Sequence, residues 1–310
     1  MKDINIAKGL QGSQIVAGCM RIANFEDKQI DQFVNVALDN GIAYFDHADI
    51  YSQGKSESVF GGALARNKSL RDKMIIQTKC GIRIDQEFGN YFDFGHDHII
   101  SSVEGSLKRL GVDTIDVLLL HRPDTLMQPD QIAEAFDTLY KSGKVRLFGV
   151  SNQNPAQINL LNAYLGDNKL RINQLQLSIA FTPMIDAGLN VNMQNDLNIN
   201  RDGGILEYSR LHDMTLQAWS PFQYGFFEGV FVGSDKYAEL NKVLNELATK
   251  YNTTPSSIAV AWILRHPAKW QVVTGTTKVE RLKEAANATT YVLTHQEWYR
   301  VYKAAGNQLP

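Results

Sequence analysis

Short apolar runs alternate with longer segments of helical spacing along almost the whole chain. Compact runs rich in β-branched and aromatic residues predict strands, whereas apolar residues repeated at spacings of three and four predict amphipathic helices. The strand-like runs are QIVAGC (14–19), AYFD (43–46), MIIQTK (74–79), TIDVLLLH (114–121), VRLFGVSN (145–152), INQLQLS (172–178), MTLQAWS (214–220) and WQVVTG (270–275). The pattern therefore predicts eight strands separated by helices.

Helical spacing is clearest in five of the other segments, and the first three of these end at a glycine that can close a helix. They are 27–41, 98–111, 130–143, 238–251 and 278–288. Because parallel strands need crossovers of this kind, eight repeats predict an α/β fold, the (β/α)8 or TIM barrel. A doubly wound open sheet is the structural alternative. No Pro/Gly/Ser-rich linker interrupts residues 1–310, so we expect a single domain.

The composition narrows the class of protein. A hydrophobic content of 44% and a charged content of 21% are typical of a globular protein with a sizeable core. The net charge of −2 gives no reason to expect nucleic acid or an anionic membrane as a partner. We find no signal peptide, no membrane-spanning run and no metal-ligand motif, and two cysteines suggest free thiols. We expect a cytoplasmic protein, a monomer or weak homo-oligomer, with a small-molecule partner.

Four polar residues follow or close the predicted strands in a way that suggests chemistry. Asp46, Lys79 and His121 end the second, third and fourth strands, and Tyr51 follows five residues after Asp46. In a barrel the carboxyl ends of the strands converge at one face, where active sites lie. Each residue alone is more often a solvated strand end or a turn, but together they form a proton-transfer set.

The proton-transfer chemistry follows from the side-chain types. A phenol has a pKa of about 10, and a nearby ammonium should lower it, so Lys79 would make Tyr51 a usable acid. Asp46 would pair with Lys79, and His121 would orient a carbonyl oxygen or share in the relay. The set suits proton donation to an oxygen while a hydride reaches the adjoining carbon.

The segment SQGKS (52–56) suggests a different hypothesis, a phosphate-binding loop of an NTPase. That motif requires a glycine five residues before Gly54, and this position is Asp49. We therefore interpret the segment as a loop that leads into a helix with Ser56 and Glu57 in its first turn.

These segments, taken in order, resemble the aldo-keto reductase family, and within it bacterial general oxidoreductases. The resemblance covers about residues 13 to 288 and rests on seven segments: YFDHADIYSQGKSESVFG, IIQTKCG, DVLLLHRPD, FGVSN, INQLQ, AWSPF and VVTGTTKVERLKEA. It implies a barrel that binds NADPH or NADP+ across its mouth without a Rossmann fold. By this resemblance the catalytic residues are Asp46, Tyr51, Lys79 and His121.

The resemblance also implies a set of cofactor-binding residues. Ser151, Asn152 and Gln174 would hold the carboxamide, and Trp219 would stack on the nicotinamide. The full set is Gly18, Cys19, Met20, Asp46, Ser151, Asn152, Gln174, Trp219, Ser220, Pro221, Gly275, Thr276, Thr277, Lys278, Arg281 and Glu284. The family often has asparagine at the position of Ala285 and a basic residue at that of Gly275. Lys278 and Arg281 still favour NADPH over NADH.

The sequence thus predicts an NADPH-dependent reductase of small aldehydes and ketones. For the substrate pocket we expect Tyr51 and His121, together with the loop aromatics Phe25, Tyr91 and Phe92. The loops 83–97, 181–202 and 221–234 would select the substrate. The alternative function is a cofactor-sensing regulatory subunit that resembles potassium-channel beta subunits and turns over slowly.

Overall fold

Eight parallel strands close into a barrel in this computed structural model, which describes residues 1–7, 9–87 and 89–310. Each strand pairs with the next along the chain, and the last pairs with the first. The strands are β1 (Ile15–Gly18), β2 (Tyr44–Asp46), β3 (Ile75–Cys80), β4 (Ile115–Leu120), β5 (Val145–Ser151), β6 (Ile172–Gln176), β7 (Thr215–Trp219) and β8 (Trp270–Thr274). The barrel prediction is confirmed, and the open-sheet alternative is wrong.

Helices connect the strands and cover the outside of the barrel. They are α1 (Asp27–Asp39), α2 (Lys55–Arg66), α3 (His96–Leu110), α4 (Pro129–Lys141), α5 (Pro155–Tyr164), α6 (Pro183–Leu189), α7 (Ile205–Leu211), α8 (Ala238–Lys250), α9 (Pro255–Arg265), α10 (Val279–Ala288) and α11 (His295–Ala304). The five predicted helices are confirmed within two residues at each end. Of the other helices, α2 and α9 are the longest, with 12 and 11 residues.

Side chains alternate between the inside and the outside of the barrel, as they must along a strand. In β4, Leu118 and Leu120 pack against the surrounding helices, whereas Val117 and Leu119 belong to the interior cluster. An N-terminal hairpin, Asp3–Ala7 with Leu10–Ser13, packs Ile6 onto that interior cluster. The hairpin closes the amino-terminal end of the barrel, so the opposite end is left for a site.

The three loops proposed to select the substrate contain regular structure of their own. The first holds an antiparallel hairpin, Ile82–Asp85 with Gly89–Phe92, and the second holds α6 and a 3-10 turn, Asp196–Asn198. The third forms a two-residue pairing of Gln223–Tyr224 with Gly229–Val230. In the described part of the chain, no helix has both the length and the apolar character needed to cross a membrane.

Candidate active site

A cavity of about 450 Å³ opens among the carboxyl ends of the barrel strands. Its volume is in the range of small-molecule sites in proteins. Most of the residues expected at a site line its wall: Gly18, Met20, Asp46, Tyr51, His121, Ser151, Asn152, Gln174, Trp219, Ser220, Pro221, Gly275, Thr276, Arg281 and Glu284. The fold therefore brings residues in or directly after seven of the eight strands to one cavity, and Lys79 of β3 lies buried behind its wall.

The ammonium of Lys79 links the proposed catalytic residues. Its Nζ lies 2.7 and 2.8 Å from the two carboxylate oxygens of Asp46 and 3.1 Å from the hydroxyl of Tyr51. It also donates to the main-chain carbonyl of His47 at 2.8 Å. The Lys79 side chain is fully buried, so these contacts replace its hydration. A charged lysine is thus held with its positive charge against the phenol oxygen.

The electrostatic balance at Tyr51 differs from the sequence-based expectation. Burial raises the pKa of Tyr51 most; the ammonium of Lys79 lowers it, and the carboxylate of Asp46 raises it again. The net pKa lies above that of an ordinary tyrosine, so the expected net lowering is wrong for the protein without ligand. For Lys79, burial lowers the pKa, but Asp46 and Tyr51 more than offset this effect and raise it overall. The structure therefore holds a protonated phenol next to an ammonium.

His121 provides a neutral imidazole at the same end of the cavity. Burial, Lys79 and Arg122 all lower the pKa of His121, to well below that of an ordinary histidine. Its ring lies edge-on to that of Tyr51, with 6.0 Å between the centroids. A neutral imidazole can donate one hydrogen bond to an oxygen that Tyr51 also contacts. It does not compete with Tyr51 as a cationic acid at neutral pH.

The loop between Asp46 and α2 positions Tyr51. Ser52, Gln53 and Gly54 have φ values of 50°, 56° and 83°, three successive left-handed residues. Gly54 is needed here, because a Cβ would lie 2.7 Å from the Arg109 side chain. Lys55, which follows, donates to the Asn24 side chain at 3.2 Å. The GKS segment is therefore a helix start, in agreement with the sequence-based interpretation.

Helix α2 is anchored beside the site by a fully buried glutamate. Glu57 accepts a hydrogen bond of 2.6 Å from the Thr78 hydroxyl of β3 and one of 2.8 Å from Arg109 of α3. Breaking such a buried pair on one side costs about 3 to 5 kcal/mol. The anchor fixes the start of α2 relative to Lys79, and with it the loop that carries Tyr51.

Four glutamines form a polar layer inside the barrel beneath the carboxylate of Asp46. Gln77 donates to Asp46 at 2.6 Å and to Gln217 at 2.8 Å, and Gln174 also contacts both. Gln217 in turn donates to Gln271 at 2.9 Å, which donates to the Ser13 carbonyl at 2.7 Å. This connected layer satisfies buried amides and fixes the orientation of Asp46. Sequence analysis identified Gln174 but missed the others.

The cavity wall near β5 and β7 combines left-handed backbone at two residues with hydrogen bonds between side chains. Asn152 and Ser220 have φ values of 58° and 51°, in the left-handed region that only a few per cent of non-glycine residues adopt. The Asn152 amide donates to the Ser151 hydroxyl at 2.8 Å and accepts from the Trp219 indole at 3.2 Å. These residues therefore present a preformed surface for a polar planar group.

Arg21 lies at the far end of the cavity and was not among the site residues predicted from the sequence. It lines the wall and donates to the Gly275 carbonyl at 3.2 Å. It thus places a guanidinium near the position where the family often has a basic residue. Thr277 and Lys278 are exposed next to this end and are not part of the wall. Cys19 is fully buried, with its thiol 3.5 Å from the Ala17 carbonyl, and does not line the cavity.

The structure places the three expected substrate aromatics away from the cavity wall. Phe25 packs edge-on against Phe33 with ring centroids 5.9 Å apart, because α1 draws it toward the core. Tyr91 and Phe92 are exposed on the hairpin after β3. The apolar wall is formed instead by residues that the sequence did not identify: Ile50, Ile82, Phe222, Phe227, Val230 and Val232. Four of these lie in the loop 221–234, which sequence analysis had assigned to substrate selection.

His47, next to Asp46, takes part through its backbone. Its ring is fully buried against Phe60 with centroids 4.6 Å apart, and burial followed by Lys79 lowers its pKa to about 3. Only its carbonyl contacts Lys79. The alternation of side chains at the end of β2 turns the imidazole outward.

Comparisons with known proteins agree with this geometry. The profile of the Aldo/keto reductase family matches residues 14–305. Oxidoreductase YdhF of Escherichia coli is 36% identical over 98% of both chains, and a 6-dehydroglucose reductase of Agrobacterium fabrum is 34% identical over 98% of both. The fold matches an aldo-keto reductase from Klebsiella pneumoniae, solved in complex with NADPH, with a TM-score of 0.77 and 21% identity over 97% and 94% of the two chains. The chain belongs to the aldo/keto reductase family.

Proposed function

We propose that the protein reduces small aldehydes and ketones to alcohols with NADPH, and that Tyr51 donates the proton. The observation that carries this proposal is the position of the Lys79 ammonium, which contacts Asp46 and the Tyr51 hydroxyl at the inner end of the cavity. A protonated phenol beside a fixed positive charge suits proton transfer to a carbonyl oxygen that becomes an alkoxide.

The residues around the cavity fit a dinucleotide cofactor. Hydrogen-bonding side chains of Ser151, Asn152 and Gln174 lie at one part of the wall, and the guanidinium groups of Arg21 and Arg281 lie at another. Polar groups of the first kind suit a carboxamide, and cations suit phosphate groups. When bound, the reduced nicotinamide would supply the hydride. Trp219 would provide the aromatic face for its ring.

The chain's own residues account for the proton. Burial keeps Tyr51 protonated at neutral pH, and Lys79 lies where it would stabilise the phenolate left after proton donation. Asp46 and the glutamine layer hold Lys79 in place. His121, neutral at this pH, would donate a hydrogen bond that orients the carbonyl. Such a positioned acid typically accelerates a reaction about 10² to 10⁴-fold.

A preference for NADPH over NADH would come from positive charge at the far end of the cavity. Arg21 and Arg281 line that end, and Lys278 is the residue before α10. Glu284 lies nearby but accepts a hydrogen bond from Thr254, and a single carboxylate leaves a net positive charge there. An additional phosphate should therefore bind more favourably than a free ribose hydroxyl.

The test is substitution of Tyr51 by phenylalanine, with Tyr91→Phe as the matched control on the exposed hairpin. Aldehyde-dependent NADPH oxidation should fall at least about 100-fold in Tyr51→Phe, because the proton donor is lost. The dissociation constant for NADPH should change by less than about threefold. Tyr91→Phe should behave like the unchanged protein. Retention of near-normal turnover by Tyr51→Phe would refute the role of this residue.

A further inference from the structure

Arg122 is a charged residue in the cavity wall that the proposed proton-transfer set does not use. It follows His121 directly after β4, and its guanidinium carbon lies 5.6 Å from the ring centroids of both Trp219 and Phe226. In the order of the barrel strands, β4 lies opposite β8. The phosphates of a dinucleotide would bind near Gly275 and α10. The backbone of Arg122 is therefore on the opposite side of the barrel mouth.

The guanidinium of Arg122 has no acidic partner among the described residues. Two other partly buried arginines, Arg71 and Arg109, are in contrast paired with Asp116 and Glu57 at 2.8 Å. Of the described residues in the cavity wall, the acids are Asp46 and Glu284. Asp46 is taken by Lys79, and Glu284 lies on α10. A partly buried cation is thus left facing the space beside Tyr51 and His121.

The aromatic rings beside Arg122 do not replace a carboxylate. The electron-rich face of an aromatic ring attracts a nearby cation, which compensates part of the desolvation. The planar face and the row of donors on a guanidinium stay available for a planar anion. The same cavity wall also carries apolar side chains, among them Ile50, Ile82 and Phe227. The combination fits a ligand with a carbon skeleton that ends in a carboxylate.

We propose that Arg122 binds the carboxylate of the substrate, so that the preferred substrates are aldehydes or ketones that also carry an acid group. This inference rests on the proposed reductase function and names its substrate class. The carbonyl would lie at Tyr51 and His121, and the acid group at Arg122. Charge-assisted, two-point hydrogen bonding would then favour the acid over an uncharged analogue of the same shape.

The kinetic test compares acids with their methyl esters. The pairs are 4-carboxybenzaldehyde with methyl 4-formylbenzoate, and succinate semialdehyde with its methyl ester. The ratio of kcat/KM for acid over ester should be well above one in the unchanged protein for at least one pair. It should fall about 10- to 100-fold in Arg122→Met, the effect of losing hydrogen bonds to a charged group. Arg122→Lys should retain part of the ratio, since it keeps the charge but not the planar fork.

The matched control is Arg83→Met. Arg83 lies on the hairpin after β3, pairs with Asp93 at 3.0 Å and does not line the cavity. Its removal changes the net charge by the same amount, so a general steering effect would alter both variants alike. The acid-over-ester ratio should be unchanged in Arg83→Met.

A binding measurement separates this inference from the proposed reaction. Calorimetry with benzoate and with methyl benzoate, in the presence of NADP+, requires no turnover. Benzoate should bind more tightly than the ester, and this difference should disappear in Arg122→Met.

Equal benzoate binding by the unchanged protein and Arg122→Met overturns the inference, whatever the activity. Weakened NADP+ binding in Arg122→Met without loss of benzoate binding would assign the guanidinium to the cofactor and also overturn it. Benzoate binding that depends on Arg122, with no carbonyl reduced, contradicts the reductase proposal while supporting the anion site.

Discussion

At the scale of single residues, burial decides how the proposed catalytic groups behave. Lys79 would lose its charge in an apolar interior, but contacts with Asp46, Tyr51 and the His47 carbonyl retain it. Burial acts in the opposite direction on Tyr51, whose neutral form it favours. Tyr51 therefore stays protonated beside a charged Lys79, which is the arrangement from which the proposed proton transfer would start.

Asp49, in the same loop, gives a pH dependence of stability. Burial and the neighbouring charge of Glu57 raise its pKa from 3.8 to about 7, although Arg109 opposes them. Between about pH 4 and pH 7, the Asp49 carboxyl therefore binds a proton in the folded protein but is ionised in the unfolded chain. The free energy of unfolding should fall as the pH rises through this window and level off above it.

Asp49→Asn should remove this decline. Between pH 5 and pH 8, the unchanged protein should lose about 2 kcal/mol of stability relative to the variant, since Asp49 is only partly buried. Urea unfolding at the two pH values measures the difference. The same pH dependence in both proteins would contradict the assignment.

At the scale of elements, the barrel interior and helix α2 hold the site from two sides. The glutamine layer joins β3, β6, β7 and β8 beneath Asp46, and Glu57 joins α2 to β3 and α3. Both connections are buried and consist of several hydrogen bonds, so they favour one position for each strand end and for the loop that carries Tyr51.

Replacement of Gln77 tests the layer. Gln77→Leu would leave the Tyr44 hydroxyl without its acceptor, at about 1 to 3 kcal/mol, and would remove one of several hydrogen bonds to the Asp46 carboxylate and to the Gln217 amide. Gln271→Leu is the control, because Gln271 is in the same layer but does not contact Asp46. Both variants should unfold at lower urea concentration, and only Gln77→Leu should also lose about tenfold or more in kcat. Similar kcat values for the two would show that the layer does not position Asp46.

Two adjacent glycines test the packing of α2. A Cβ at Gly61 would lie 2.2 Å from the Arg109 carbonyl of α3, whereas one at Gly62 would meet only the flexible end of Arg66 at 3.3 Å. Gly61→Ala should therefore destabilise the protein by about 2 kcal/mol or more, because the two helix backbones must separate. Gly62→Ala should stabilise it by about 0.5 to 1 kcal/mol through helix propensity. Thermal unfolding measures the melting temperatures of the two variants. Shifts of the same sign relative to the unchanged protein would contradict this packing.

At the scale of the whole molecule, the periodicity of apolar residues in the sequence predicted the strands and helices of the barrel. The strands and the five predicted helices lie within one or two residues of their expected positions, because apolar spacing follows directly from a barrel with two buried strand faces. The hairpin from Ile82 to Phe92 was missed, since its residues are mostly exposed and polar and carry no core signal. The N-terminal hairpin was missed because its strands are short and carry few apolar residues, although Ile6 is buried in the barrel interior.

The site was predictable where residues lie at strand ends, and less so where it depends on loops. Asp46, Tyr51, Lys79 and His121 come together because the barrel brings their positions to one end. Phe25 lies elsewhere because packing on Phe33 determines its direction, which no local pattern reveals. Arg122 looks like an ordinary solvated residue in sequence, and only the three-dimensional structure shows that none of the acids in its described part pairs with this guanidinium. The direction of the pKa shift of Tyr51 could not be predicted from its charged neighbours alone, because burial has the largest effect on it.

The most direct test of the reductase proposal follows the hydride. The protein would be incubated with NADPH carrying deuterium at the transferable C4 position and with 4-carboxybenzaldehyde or benzaldehyde, and the alcohol product would be analysed by mass spectrometry. The proposal predicts an alcohol one mass unit heavier than that formed with unlabelled NADPH, at a rate that greatly exceeds that of Tyr51→Phe. Tight NADPH binding with no labelled alcohol from any carbonyl tested would contradict the proposal and favour a cofactor-sensing role.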